Sequence, residues 1–356
     1  KNRLFQKKRK KIFIIPVFQF FAPSRKCVAM KKREFLKRCT VGALVAASVA
    51  WASVAHAQTV KSVGITAIVE HPALNAIRKG VEDELKALGW VPGKNLKITY
   101  QSAQGNTATA GQIARKFVGD KTDVIVAIAT PSAQAAVAST KTIPVVFSAV
   151  TDPVAAKLVK GLGMPSGTNV TGVSDRLPIA PQIDLLLKVK PGAKRVGYVY
   201  SPGEVNSVSV LKELKAELAK RGMTVVEVAA PRTVDIPSAI KSLVGKVDVV
   251  YTSTDNNVVS AYEAMVRVAQ ESKLPLVASD TESVSRGAVA ALGMDSYNVG
   301  RQTGKLVDRV LKGEKPGAIA PEAANKLSLS VNPEAARKQG VPLSDALIKQ
   351  AAEVVK

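Results

Sequence analysis

A chain of 356 residues has room for two α/β units, and 51 Lys and Arg against 28 Asp and Glu give it a formal charge of +23. That charge does not mark a nucleic-acid binder. Residues 1–57 hold 14 of the basic side chains and a single acid, Glu34, while the other 299 residues disperse 37 basic groups among 27 acidic ones, with no aromatic-rich basic stripe. Both cysteines, Cys27 and Cys39, lie in the first segment and only His71 among the histidines lies beyond it, which excludes a disulfide framework, a thiolate nucleophile and a Cys-based metal site from the rest.

The first 57 residues read as a leader and something upstream of it. Residues 1–29 begin at Lys1 and hold five of the eight phenylalanines; they are expected to be an upstream extension. Residues 30–57 form a signal peptide: a basic n-region from Met30 through Arg33, an uncharged apolar stretch from Val41 to Ala55, and a small-x-small site at Ala55-His56-Ala57, so cleavage is expected after Ala57. The stretch is shorter than the ~20 apolar residues a spanning helix needs, so no stable membrane insertion is expected after cleavage. Lys32-Arg33-Glu34-Phe35-Leu36-Lys37 resembles a twin-arginine motif with Lys in the first place, leaving the general and folded export routes both open. Cys39 precedes the apolar stretch, the wrong side for a lipid anchor, and a freely diffusing periplasmic protein is expected.

From Thr59 onward β-rich runs alternate with amphipathic helical stretches. Strands are expected at Val60–Val69, Lys97–Gln101, Val124–Ala129 and Val145–Ser148, with helices over Ala73–Leu88 and Ala108–Val118. The rhythm resumes with strands at Arg195–Tyr200, Thr224–Val228, Val249–Ser253, Leu276–Ser279 and Ala288–Leu292, and helices near 204–221, 235–244, 257–272 and 296–312. Near-continuous apolar strands alternating with helices imply parallel sheets covered on both faces.

The second half repeats the first in three blocks. The run from Asp123 to Ser132 aligns with that from Asp248 to Asn257, the run from Ile143 to Ser148 with that from Leu274 to Ser279, and Val63-Gly64-Ile65 with Val196-Gly197-Tyr198. The fold expected is therefore α/β, two Rossmann-like lobes with parallel sheets joined by a multi-strand hinge. Lobe one spans 58–172, with a return from about 295–356 at the hinge, and lobe two spans 173–294. Asn169–Ser174 reads as a crossover, and the tail carries a β-like run at Leu327–Asn332 before helical patterns. A hinge of several strands between two lobes makes a closing cleft.

Ligands of open α/β sheets bind beyond the carboxyl ends of the strands. The repeat nominates Thr130, Ser132, Ser148 and Asp152 in lobe one, and Asn206, Asp255, Asn256 and Asp280 in lobe two. Thr130 and Ser132 flank Pro131 at a helix start, where amides and hydroxyls suit a carboxylate, or where Thr130 simply caps its helix. Asp255 and Asp280 suit an ammonium group, with helix capping again the plain alternative. Together they suit a zwitterion, most naturally an amino acid. His71, beside Pro72, reads as a loop or wall residue, and Tyr200, Tyr251, Tyr262 and Tyr297 are candidate stacking partners.

The chain has no G-x-S-x-G elbow, no phosphate loop and no G-x-G-x-x-G; Gly161-Leu-Gly163-Met-Pro-Ser-Gly167 has the wrong spacing. An exported α/β enzyme using carboxylate chemistry on a small polar substrate is the alternative. A DNA-binding regulator of similar build would need a helix-turn-helix where this chain has its leader.

Gly80-Val-Glu-Asp-Glu-Leu85 with Gly89, Pro92-Gly-Lys-Asn95, Ala129-Thr-Pro131, Ile143-Pro-Val-Val-Phe147, Asp152-Pro153, Asn169-Val-Thr-Gly-Val173, Val247-Asp-Val-Val-Tyr251 with Asp255, and Gly287-Ala288 resemble, in order, the ABC-transporter substrate-binding family that includes tryptophan-binding proteins. The similarity covers about 60–340. It implies a type I periplasmic-binding fold, a small-molecule ligand, which in some relatives is an aromatic amino acid, and an ABC permease as partner. No catalysis, cofactor, metal or nucleic acid is expected, and a monomer is expected.

Overall fold

The computed structural model describes residues 60–355. The expected signal peptide, cleavage site and upstream extension lie outside the described residues. Among the described residues no helix is long and apolar enough to cross a membrane.

In chain order the first sheet receives β1 (Lys61–Ala67), β2 (Leu96–Ser102), β3 (Val124–Ile128), β4 (Val145–Ser148) and β5 (Val170–Ser174), with α1 (Pro72–Ala87), α2 (Thr107–Gly119) and α3 (Thr130–Ser139) between the early strands. After α4 (Ile179–Val189) the second sheet receives β6 (Arg195–Tyr200), β7 (Thr224–Ala229), β8 (Val249–Thr252), β9 (Leu276–Ala278) and β10 (Ala290–Met294), connected by α5 (Val205–Lys220), α6 (Ile236–Leu243), α7 (Asn256–Ser260), α8 (Tyr262–Ser272) and α9 (Glu282–Ser285). The chain ends with α10 (Ser296–Leu311), β11 (Glu322–Ala323), β12 (Leu327–Val331), α11 (Pro333–Lys338), α12 (Asp345–Gln350) and β13 (Glu353–Val354).

Both sheets have the same strand plan. The orders β11-β5-β4-β3-β1-β2 and β13-β12-β10-β9-β8-β6-β7 each contain the doubly wound 2-1-3-4-5 arrangement. Pairings within that core are parallel, and β12 runs antiparallel to β10. Central strands are fully buried, as Val124–Ile128 shows, whereas no residue of the edge strand β7 is fully buried. The three repeated blocks fall on β1 and β6, β3 and β8, and β4 and β9. Their shared aspartates brace the strand starts: Asp123 accepts from the Ser62 backbone N–H at 2.8 Å, and Asp248 from the Lys194 and Arg195 N–H groups at 2.9 and 2.8 Å.

The chain passes between the sheets after Ser174, after Met294 and after Ala323, three strands of hinge in all. The tail departs from the sequence expectation. Only Ser296–Ala323 returns to the first sheet, whose core takes Val299, Leu306, Val307 and Ile319. Residues 327–354 join the second, because Val331, Ala336, Val341 and Leu347 bury in its core instead.

Helices α1 and α10 lie unusually close. A Cβ on Gly300 would stand 2.0 Å from the Ile77 carbonyl oxygen, and one on Gly80 would stand 2.2 Å from that of Tyr297. Glycine at both positions lets the two backbones touch, and Arg301 pairs with Glu84 alongside. This pair carries one wall of the site.

Candidate functional site

A cavity of about 580 Å³, mouth included, opens where the carboxyl ends of the two sheets meet. One side of its lining is aliphatic: Leu74 and Ile77 from α1, Val299 from α10, Met294 at the end of β10, Leu177 on the crossover and Val259 from α7. The imidazole of His71 is the sole aromatic ring among the described lining residues.

The first sheet contributes backbone as well as side chains. Ala129 and Ala149, at the ends of β3 and β4, both line the cavity and both adopt left-handed φ, +72° and +52°. Non-glycine residues held there cost about 1–3 kcal/mol each, strain that clusters at ligand sites. Beyond Ala129, α3 starts with no side-chain cap, so its first-turn N–H groups are uncommitted. Thr130 lines the cavity with its hydroxyl buried and unpaired among the described residues. A helix N-terminus with a free hydroxyl is a seat for an anion.

The second sheet and the crossover contribute the opposite polarity. Asp280 follows β9, lines the cavity, and accepts from the Ser283 N–H at 2.9 Å and the Ser283 hydroxyl at 2.8 Å. Burial pushes its carboxyl up, against the pull of those two donors and of Arg286. Asp175, first residue past β5, accepts from the Thr151 hydroxyl at 3.0 Å; burial raises it to about 6, opposed by that hydrogen bond. Ser279 and Asn206 add a hydroxyl and an amide, and Ser279 Oγ and Asn206 Oδ1 are buried without partners among the described residues. His71 is 8% exposed with Nδ1 unpartnered in the same way. Burial, helped by Arg286 and opposed by Asn256, drags its pKa down to about 4, so the ring is neutral at pH 7.

Of the nominated residues, the structure brings Thr130, Asn206, Asn256 and Asp280 to the cavity. The other four are not in its lining. Ser132, third residue of α3, is fully buried with its hydroxyl unpartnered among the described residues, and Ser148 shares a 2.7 Å hydrogen bond with Thr303. Asp152 accepts from the Ala155 N–H and faces Arg176 at 3.7 Å. Asp255 caps α7 with both oxygens committed inside the protein. The candidate tyrosines also stand back: Tyr251 and Tyr262 are core residues, Tyr200 stacks on Tyr198, and Tyr297 bonds Asp83. Tyr251 does border a recess of about 240 Å³ that shares Thr151, Asp175 and Ser279 with the main cavity. Asp175 was missed because the three aligned blocks stop at β4 and β9; its counterpart past β10 in the second sheet is Asp295. A carboxylate at the first residue past a crossover strand was the signal.

Residues 62–355 match the model of the ABC transporter substrate binding protein family. The chain belongs to this family. It is thus a ligand-carrying component of a transporter, not the enzyme that its carboxylates left open as an alternative. Among its relatives is a tyrosine-binding protein from Clostridioides difficile, 43% identical over 272 residues, spanning 76% of this chain and 79% of that one. A solved ABC domain from Streptococcus pneumoniae in complex with L-Trp is 34% identical with a TM-score of 0.80, over 83% of this chain and all of that one. The ligand-free, open structure of a substrate-binding protein with adhesive properties from Clostridium difficile is 39% identical with a TM-score of 0.64, over 83% of this chain and 99% of the other.

Proposed function

We propose that this binding protein holds an aromatic amino acid, of the tyrosine and tryptophan kind, in the cleft and hands it to the permease of an ABC importer. The observation that carries the reading is the make-up of the cavity: two carboxylates on one side, an uncapped helix start with a free hydroxyl on the other, and an aliphatic wall between. The ligand's carboxylate fits at Thr130 and the α3 amides. Its ammonium fits beside Asp175 and Asp280, with Asn206 Oδ1 as a further acceptor. Its ring packs on Leu74, Ile77, Met294 and Val299, worth about 2–3 kcal/mol of burial. A thioether edge on an aromatic face adds a little more.

Two relatives support the ligand class, one named for tyrosine and one solved with L-Trp. A closed arrangement fits as well. The fold superposes better on the L-Trp complex than on the open ligand-free relative, although the latter is more identical. Thr151 and Thr254 meet across the cleft at 3.4 Å. A ligand that bridges both sides favours this state by its differential affinity.

We place the mature protein, from residue 58 onward, in the periplasm as a monomer. Calorimetry and thermal shift of residues 58–356 with L-tyrosine, L-tryptophan, L-phenylalanine and L-leucine test the assignment. Aromatic amino acids should raise the melting temperature by mass action, and leucine less. Silence with all aromatic amino acids, together with a response to a sugar or polyol, would reject it.

A further inference from the structure

Glu204 lies behind the cavity rather than in it. It precedes α5, is 8% exposed, and its Oε2 accepts three hydrogen bonds: from Asn206 Nδ2 at 3.0 Å, from the Asn256 backbone N–H at 3.2 Å and from Asn256 Nδ2 at 2.7 Å. A backbone N–H can only donate, so Oε2 is an acceptor whether or not Oε1 carries a proton. Both asparagine side chains must therefore turn their NH₂ groups toward Glu204. Asn206 Nδ2 also donates to the Thr254 carbonyl at 3.2 Å. With its nitrogen committed twice, Asn206 has only its oxygen left. That atom, Oδ1, is buried without a partner among the described residues, on a side chain that lines the cavity.

We propose that Glu204 is a positioning residue that makes the cleft selective for a protonated amine, by locking Asn206 and Asn256 nitrogen-inward so that Asn206 Oδ1 faces the ligand as an acceptor. This rests on the amino-acid reading above. A free amide can flip and offer N–H groups to a carbonyl or hydroxyl ligand; the lock removes that choice. Holding a carboxyl here is costly, since burial and the charge of Asp255 push it up to about 7. A leucine would fill the space without that cost, but it would leave Asn206 held by the Thr254 carbonyl alone and strip Asn256 Nδ2 of its acceptor.

The test titrates wild type, Glu204→Leu and Glu204→Gln by calorimetry with L-tyrosine and with 3-(4-hydroxyphenyl)propionate, the same molecule without its amine. Wild type should prefer tyrosine. Glu204→Leu should cut tyrosine affinity about tenfold and change propionate affinity less than about twofold, while Glu204→Gln, which keeps an acceptor, retains the preference. Equal losses for both ligands, or an unchanged preference in Glu204→Leu, overturn the positioning role alone. A wild type that does not prefer tyrosine overturns the amino-acid reading as well. If Glu204→Leu does not fold, Asn206→Ala carries the test: its preference should fall by about tenfold, and an unchanged preference overturns the proposal.

Discussion

Thr130 and Asp255 stand at equivalent helix starts in the two sheets, and their oxygens face opposite ways. The Thr130 hydroxyl lies in the cavity wall unpaired among the described residues, at the start of a helix with no side-chain cap. Asp255 is 0% exposed and turns both oxygens inward. It accepts from Ser201 N–H at 2.6 Å, Ser201 Oγ at 2.9 Å, Ser207 Oγ at 2.6 Å, and the Asn257 and Val258 N–H groups at 3.0 Å each. One helix start is left open to the cavity and its twin is sealed.

Asp255→Ala should therefore act on stability first. Five buried donors lose a charged acceptor together, a loss of about 3 kcal/mol or more. Urea unfolding should show the drop. Calorimetry on the folded variant should show a smaller loss of tyrosine affinity than Asp280→Asn, whose carboxylate lines the cavity. A variant with the wild-type midpoint and no binding would instead make Asp255 the counter-ion.

The contact of α1 with α10 makes a second prediction. Gly300→Ala places a methyl group 2.0 Å from the Ile77 carbonyl oxygen and 2.9 Å from Gly80 Cα, both backbone atoms that cannot swing aside. The helices must separate, at about 2–3 kcal/mol. Ile77 and Val299 move with them, so tyrosine affinity should fall along with the melting temperature. Gly313→Ala, with open space around its Cβ direction but φ near +100°, should lower stability and leave affinity alone.

These contrasts explain how much could be read in the sequence. Strand order and lobe repetition were legible because buried parallel strands and amphipathic helices write long, periodic signals, as Val124–Ile128 and Leu74, Ile77, Val81 and Leu85 do. The loops that border the cleft were legible for the same reason: each follows a strand. Which atom of each loop residue faces the ligand was not. Thr130 and Asp255 occupy one place in the repeat, and their directions are set by partners distant in sequence, such as Ser201 and Ser207. The hinge residue Asp175 and the aliphatic wall from α10 lie outside the three blocks whose sequences align, so that comparison did not nominate them.

His71 gives a prediction about stability against pH. Burial, with Arg286 adding, lowers its pKa from 6.5 to about 4. Between those values the unfolded chain binds a proton that the folded protein does not. Its contribution is therefore fully present above pH 6.5 and is lost as pH falls toward 4, by about 3 kcal/mol in total. His71→Gln should flatten that part of the stability profile, seen as a smaller fall in melting temperature from pH 7 to pH 4.5 than in wild type. Identical slopes for the two proteins would mean that the ring is protonated in the fold.

Asp175 should make ligand affinity depend on pH in a way that runs against its effect on the unliganded protein. Its pKa is raised to about 6 by burial, so its contribution to folding stability is full below the unfolded value of 3.8 and is lost as pH rises through 6. An ammonium ligand reverses the preference, because it pairs with the ionised carboxylate. From pH 7.5 to pH 5 the ionised fraction falls about tenfold, and tyrosine affinity should fall with it. Neither charged group of the amino acid titrates in that window. The raised carboxyl of Asp280 reinforces the trend, since it too must ionise to meet the ammonium. Below pH 6 binding should release a proton, so the heat measured will vary with the ionisation enthalpy of the buffer. Asp175→Asn should bind more weakly at pH 7.5 and lose most of the pH dependence. A variant that keeps the full wild-type profile would leave Asp280 alone as the titrating partner and return Asp175 to bracing Thr151 at the hinge.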